Sequence, residues 1–273
     1  MNNISNYIGQ KGYSIFKDSI SIDEQLNLRN NLEVKPFVPK SSPFQPSPFP
    51  IYRESQHKIY IPRFFGIKKY GLPNDIKIVK GQKIHLNFKG QLRPTQQQAV
   101  NAYIESVKGE EGGGGLLEMH CGSGKTVCAL KILCLLNVKT LIIVHKSFLM
   151  DQWHERIEQF LPNARIGRIQ GEKVDIDDKD IVLGMLQSIS MKEYPYSIFQ
   201  QFGLTIVDEC HHIGAEVFSR ALFKVVTKYM LGLSATMRRK DGLTKVFKWF
   251  IGDIVYTKKR EGGENVLVRG IYY

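Results

Sequence analysis

The stretch Glu118-Met-His-Cys-Gly-Ser-Gly-Lys-Thr-Val-Cys-Ala-Leu130 decides the fold. It has the shape of a phosphate cradle, but the usual pattern is G-x-x-x-x-G-K-[ST], and Met119 stands where the first glycine would be. The context supplies what the missing glycine withholds. LLEM (116–119) reads as a strand and TVCALKILCLLNV (126–138) as a helix, so HCGSGKT occupies a strand-to-helix turn. Gly122 and Gly124 leave room for backbone N–H groups to converge on an anion, and the helix N-terminus adds the positive end of its dipole. Lys125 is placed for β/γ-phosphates and the Thr126 hydroxyl for Mg²⁺.

Outward from this loop, apolar runs of strand length alternate with amphipathic runs of helix length. TLIIV (140–144), DIVLGML (180–186), GLTIVD (203–208) and YMLGLSA (229–235) read as buried strands, and FLMDQWHERIEQFL (148–161) as an amphipathic helix. Such alternation predicts an α/β domain over 91–273, its parallel sheet covered on both faces and its ligands at the carboxyl ends of the strands. GLTIVDECHHI delivers Asp208 and Glu209 at one such end. One carboxylate can hold Mg²⁺ while its neighbour orients or deprotonates water. Cys210-His211-His212 lacks the ligand spacing of a zinc site.

Residues 1–90 are different in kind. They hold 14 Lys/Arg against 6 Asp/Glu, leaving only +4 of the net +12 to the remaining 183 residues. A basic segment beside a nearly balanced domain points to a polyanionic partner. Residues 1–34 read as a polar helical lead-in, with Ser21 as N-cap and Glu24 completing a capping box. Residues 35–50 hold six of the eleven prolines and read as an extended linker, with Phe37, Phe44 and Phe49 packing it onto a surface. Residues 51–90 read as a small basic β-rich appendage, in which Tyr60, Phe64, Phe65 and Tyr70 interleave with Arg63, Lys68 and Lys69. No C-x-x-C pair occurs among the four cysteines, as in a reducing compartment. No apolar run is long enough to span a membrane, and the first residues lack a secretory pattern. The location expected from these features is intracellular, nuclear or cytoplasmic.

In combination these stretches resemble the superfamily 2 helicases. Asp208-Glu209-Cys210-His211 stands where that family has its DEAH-type box, and its first motif commonly reads C-G-S-G-K-T without the first glycine. LRPTQQQAV matches the adenine-recognition region, with Gln96 in the amide position and Thr95 where tyrosine is usual. LIIVHKSFLMDQW resembles motif Ia, with Lys146 in place of the common threonine. GMLQSIS resembles the T-x-x-Q-S element, keeping Gln187 and Ser188 but departing at Met185. LGLSATMRRKDG carries the S-A-T motif, Ser234 to Thr236. The likeness is strongest to the XPB-like branch and to helicases of large DNA viruses, which would place the protein in host cytoplasm or virion.

The resemblance implies a RecA-like P-loop NTPase lobe whose cofactors are ATP and Mg²⁺. It implies ATP contacts from Gln96, Gly122, Ser123, Gly124, Lys125 and Thr126, a metal held by Thr126 and Asp208, and catalysis by Lys125, Asp208 and Glu209. It further implies coupling through His211, Ser234 and Thr236, and nucleic-acid contacts from Lys146, Gln187 and Ser188, to DNA in preference to RNA. The family works with a second RecA-like lobe, in cis or in trans; VLVRGIYY (266–273) reads as a lead into one, and without it hydrolysis should be slow. Two other functions compete: a nucleic-acid-binding adaptor with an ATP-operated switch, and the motor part of a restriction enzyme.

Overall fold

The computed structural model describes residues 4–39, 41, 43, 45–210, 213–236, 239 and 241–258; His211, Phe44 and 266–273 lie outside them. In chain order the elements are β1 (Asn6–Gly9), β2 (Gly12–Phe16), α1 (Ile22–Leu32), β3 (Glu33–Val34), β4 (Phe49–Pro50), β5 (Arg53–Glu54), β6 (Lys58–Ile61), α2 (Arg63–Tyr70) and α3 (Pro94–Ser106). Then follow β7 (Gly113–Met119), α4 (Lys125–Leu136), β8 (Thr140–Val144), α5 (Ser147–Phe160), β9 (Ile166–Gln170), β10 (Lys173–Asp175), β11 (Ile181–Met185) and α6 (Leu186–Met191). The last are β12 (Leu204–Val207), α7 (Ala215–Leu222), β13 (Tyr229–Ser234), α8 (Thr244–Ile251) and β14 (Ile254–Lys258).

The large sheet runs β10-β9-β11-β8-β12-β13-β7-β14. Every pairing in it is parallel except β9 with β10. Its central strands are buried along their whole length, as β8, β11 and β12 show, because helices cover both faces. On one face α3, α4 and α5 contribute Tyr103, Leu133 and Trp153 to a single core. On the other, α6, α7 and α8 share a core with the N-terminal segments, since Ile8, Tyr13, Ile59 and Leu28 belong to the same cluster as Leu141, Phe218 and Phe250. This is the RecA-like α/β architecture expected from the sequence, with β7, β8, β11, β12 and β13 at their expected positions.

The first ninety residues depart from their sequence reading. The lead-in is not helical throughout: it opens with the β1–β2 hairpin, and β2 pairs with β6 to build a four-stranded sheet β1-β2-β6-β5. The lead-in and the appendage therefore form one unit across the proline-rich stretch. Ser21 does cap α1, its hydroxyl accepting from the Glu24 amide at 3.1 Å, but the Glu24 carboxylate turns to Tyr70 and Lys69 instead of closing the box. RFFGIKKY is α2, not a strand. A Cβ on Gly66 would lie 2.2 Å from Cγ of Tyr13, so the glycine makes room for a core ring. Phe37 is 69% exposed and does not pack, whereas Phe49 does.

Residues 76–89 carry no regular strand. They form a strap that bonds to the large domain through its backbone, with Gln82 N to Gln201 O (2.8 Å), Lys139 N to Gln82 O (2.7 Å) and Lys89 N to Phe160 O (2.8 Å). Arg63 is 3% exposed. Its guanidinium donates to the carbonyls of Thr227 (3.3 Å), Lys228 (3.0 Å) and Glu111 (2.9 Å), the residues entering β13 and β7. Burial pulls it down to about 10. Arg63 is thus a structural clamp rather than a surface contact for nucleic acid, and the neighbouring aromatics face the core.

Gly66→Ala should destabilise the chain by about 1–3 kcal/mol, the usual cost of overpacking, read as a lower denaturant midpoint. An unchanged midpoint would mean that the Tyr13 ring yields freely, and the tight seat inferred for it would be wrong.

Candidate nucleotide site

Parallel strands deliver their carboxyl ends to one rim, and there the expected residues collect. β13 lies between β7 and β12. The glycine loop leaves β7, Asp208 and Glu209 leave β12, and Ser234 ends β13 itself. Lys146 follows β8, and Gln187 follows β11.

The loop from His120 to Gly124 is built to turn tightly. Gly122 and Gly124 both have positive φ, 79° and 88°. A Cβ on Gly122 would meet nothing within 4 Å, whereas one on Gly124 would strike the Gln96 amide at 2.2 Å. The first is open to an incoming group; the second is forced by packing. The Ser123 hydroxyl, largely buried, donates to the His120 carbonyl at 2.6 Å and tightens the turn. Helix α4 starts at Lys125, so its first amides, which have no intrahelical acceptor, face the loop.

Lys125 is only 8% exposed. Its ammonium donates to the Met119 carbonyl at 3.2 Å and pairs with Glu209 at 3.4 Å. Asp208 lies beside that pair, also buried, with each oxygen engaged: Trp153 Nε1 donates to Oδ2 at 2.8 Å, and the Glu209 amide donates to Oδ1 at 2.9 Å. Burial pushes the Asp208 carboxyl up to about 6; the Trp153 hydrogen bond pulls the other way, and the Glu209 charge adds to the rise. Glu209 itself sits at φ 46°, a left-handed conformation that costs a non-glycine residue on the order of 1–3 kcal/mol. Trp153 was not singled out from the sequence, although its spacing with Met150 and Ile157 on α5 marks it as inward-facing.

Gln96 is engaged at both ends. Its Oε1 accepts from the Arg93 amide at 2.9 Å and its Nε2 donates to the Ser123 carbonyl at 3.0 Å, 5% exposed overall. It ties the start of α3 to the glycine loop. Thr126 is half-buried at the second position of α4. The Ser234 hydroxyl donates to the Thr236 carbonyl at 2.6 Å. Gln187 is exposed and donates to the His145 carbonyl at 2.9 Å, which brings it next to Lys146. Ser188 is drawn to the β9–β10 turn instead, its hydroxyl accepting from the Gly171 amide at 2.9 Å. Among the described residues no group of three or more His, Cys, Asp or Glu side chains could hold a metal on its own, and no helix is long and apolar enough to cross a membrane.

Trp153→Phe keeps most of the packing but removes the donor to Asp208. An under-satisfied buried carboxylate should lower stability by about 1–3 kcal/mol, measured by chemical denaturation of the nucleotide-free protein. An unchanged stability would show that Asp208 does not depend on the indole.

Residues 89–239 match the family described as Type III restriction enzyme, res subunit. A protein of Acanthamoeba polyphaga mimivirus named as an ATP-dependent RNA helicase is 38% identical over the whole chain, which covers 53% of that protein. The DNA 3'-5' translocase XPB2 of Sulfurisphaera tokodaii is 30% identical over 73% of the chain, covering 44% of its own length. The chain spans about half the length of these curated relatives. Among solved structures, the UvsW helicase of bacteriophage T4 superimposes with a TM-score of 0.60 at 18% identity, over 86% of this chain and 94% of that one. The SWI2/SNF2 ATPase core of Sulfolobus solfataricus in complex with dsDNA gives 0.51 at 21% identity, over 63% and 38%. Both carry the RecA-like fold seen here. The family match takes in each of the strand ends that form the rim, and through it the chain belongs to the ResIII family of superfamily 2 helicases.

Proposed function

We propose that this chain is the first motor lobe of a DNA helicase or translocase, binding Mg-ATP at the glycine loop and hydrolysing it fully only with a second RecA-like lobe. The observation that carries the reading is the buried Lys125, paired with the partly exposed Glu209 at 3.4 Å, with the buried Asp208 beside it. A lysine with this little exposure needs negative charge near it; Glu209 supplies that charge here, and phosphate oxygens would compete for it. Gly122 leaves open space where such oxygens would approach.

Thr126 and Asp208 suit Mg²⁺, which takes one or two carboxylates and completes its shell with water and phosphate. When bound, the ion would neutralise charge on the phosphates. Glu209 is the residue that would accept the water proton, once Lys125 turns toward phosphate. Gln96 would have to exchange one of its two present bonds to read an adenine; without that exchange it acts as a brace for the loop. Ser234 and Thr236, with His211, would pass the state of the site to a neighbouring lobe. Lys146 and Gln187 form the exposed rim for a nucleic-acid backbone, with Ser188 reaching it only through its remaining hydroxyl proton. The archaeal relative's name and the dsDNA-bound neighbour favour DNA, and the mimiviral relative's name favours RNA, so both polymers belong in the test. That relative also supports a viral source and, with it, host cytoplasm or virion.

The second reading, favoured by the family's description, is the motor part of a restriction enzyme. DNA cleavage, beyond ATP turnover, by the full-length gene product would establish it. The decisive measurement for the leading reading is ATPase activity with DNA or RNA added, with and without a second lobe. Lack of any stimulation by either polymer in the two-lobed protein would defeat it.

Lys125→Ala should weaken Mg-ATP binding at least tenfold, since hydrogen bonds to charged groups contribute about 1.5–3 kcal/mol; equal affinities by calorimetry would refute the phosphate-loop role. Glu209→Gln should keep ATP binding and abolish turnover in the two-lobed protein. Wild-type turnover in that variant would remove Glu209 from the chemistry.

A further inference from the structure

A cavity of about 480 Å³ opens between the β1–β2 hairpin, β6, the strap and the 3-10 turn Tyr196–Gln201 of the large domain. Its size falls within the range of small-ligand pockets. It is distinct from the glycine loop: Tyr196 lies in the segment that enters β12, whereas Asp208 lies in the loop that leaves it. Tyr7, Tyr60 and Tyr196 supply aromatic walls, Ser14 a polar one, and Lys11 and Lys77 the charge; among the described residues no acidic one lines it.

The lysines are arranged around rings rather than buried in ion pairs. Lys11 Nζ lies 5.0 Å from the Tyr60 ring centre and Lys77 Nζ 4.8 Å from that of Tyr7. Lys58 also sits over Tyr7, at 4.9 Å, and donates to its hydroxyl at 3.2 Å. Burial raises the Tyr7 phenol, but the Ser14 hydroxyl, then the Lys58 hydrogen bond and the charges of Lys58 and Lys77, outweigh it, so the net direction is down. The placement of Lys11, Lys58 and Lys77 over these rings makes the aromatic wall electropositive. Lys11 is exposed and has no carboxylate partner among the described residues. Lys77 pairs with Asp75 at 2.9 Å, but both side chains are more than half exposed, and such pairs are weak. Tyr196 is half-buried and lines the same cavity.

We propose that this cavity binds a nucleotide unit, with the base against the tyrosines and the phosphate between Lys11 and Lys77. Aromatic faces with lysines at the mouth are what a base and its phosphate require together: stacking tolerates any base, and exposed ammonium groups hold the anion where a strand could continue. The nucleotide could belong to a single strand or be a free nucleoside monophosphate. The site needs neither ATP at Lys125 nor a second lobe, so failure of the motor reading would leave it standing.

The experiment is photocrosslinking of the whole chain with a short oligodeoxynucleotide containing 5-iodouracil and, at equal concentration, with 5-iodo-dUMP, mapping adducts by mass spectrometry. Adducts on Tyr7, Tyr60 or Tyr196 are expected. They should fall about tenfold or more in Lys11→Gln and in Lys77→Gln, as for loss of a charge-assisted contact; both positions are exposed, and retention of the wild-type melting curve checks the fold. With the oligonucleotide, each substitution should also lower the slope of log affinity against log salt by about 0.7. Adducts from the oligonucleotide alone assign the site to a strand, and equal adducts from the monophosphate assign it to free nucleotide. Absence of adducts on all three tyrosines with both probes, or yields unaffected by both substitutions, would overturn the proposal.

Discussion

The rim of the sheet is organised around one buried ammonium group. Lys125 is 8% exposed and held between a carbonyl and the Glu209 carboxylate. A buried charge is tolerated only when paired and hydrogen-bonded, so the position of Glu209 is not free. Glu209 takes a left-handed backbone, and its amide is held by Asp208, which is held in turn by Trp153 on α5. From the other side the loop carrying Lys125 is fixed by Gln96, and through Gln96 by α3. Helices α3, α4 and α5, all on one face of the sheet, thus meet through five polar side chains at its edge.

The opposite ends of the same strands are fixed by a different charge. Arg63 reaches from α2 to the carbonyls that precede β7 and β13, the strands whose far ends carry the glycine loop and Ser234. The buried Lys139, just before β8, plays a similar part, donating to the Ile176 carbonyl and to Gln201 at 2.6 Å each. The buried Arg63 and Lys139 thus tie down the starts of β7, β13 and β8, while the buried Asp208 lies just past the end of β12. Removing the N-terminal unit would orphan the Arg63 acceptors and uncover one face of the core. Its basic side chains are therefore better probed one at a time than by deletion.

The large domain was legible because buried parallel strands leave continuous apolar runs. TLIIV is β8 without a residue's difference, and the glycine loop lies at the turn that the flanking pattern required. The short antiparallel β10 with its partner β9 escaped notice, because IGRIQ and KVD are too polar and too short to stand out. Around the site, residue types announced Lys125, Asp208 and Glu209, but not the contacts that orient them. The Trp153 bond to Asp208 spans 55 residues of sequence, and no local pattern encodes it. In the N-terminal unit local signals conflict with tertiary need: residues 51–90 read as β-rich, whereas RFFGIKKY is a helix whose Gly66 clears the Tyr13 ring. The strap shows the reverse case, with alternating residues that place Ile84 and Leu86 inward but backbone bonds that go to the large domain instead of a neighbouring strand.

Charge counting over the first ninety residues measured the excess correctly but not its availability. Arg63 is consumed by backbone carbonyls. Lys17 and Arg29 converge on Glu54, at 2.6 and 2.7 Å, and Lys69 is drawn to Glu24. Lys58 is spread over the Tyr7 and Phe16 rings. What remains for a polyanion is a smaller set of exposed lysines, among them Lys11, Lys68, Lys80, Lys83 and Lys89. Lys11 stands at the mouth of the tyrosine cavity, and Lys80 and Lys83 lie on the strap that continues from Lys77. A field of a few exposed charges decays within about 8–10 Å at ordinary ionic strength, so their placement beside aromatic faces, more than the net count, sets where an anionic partner would be held.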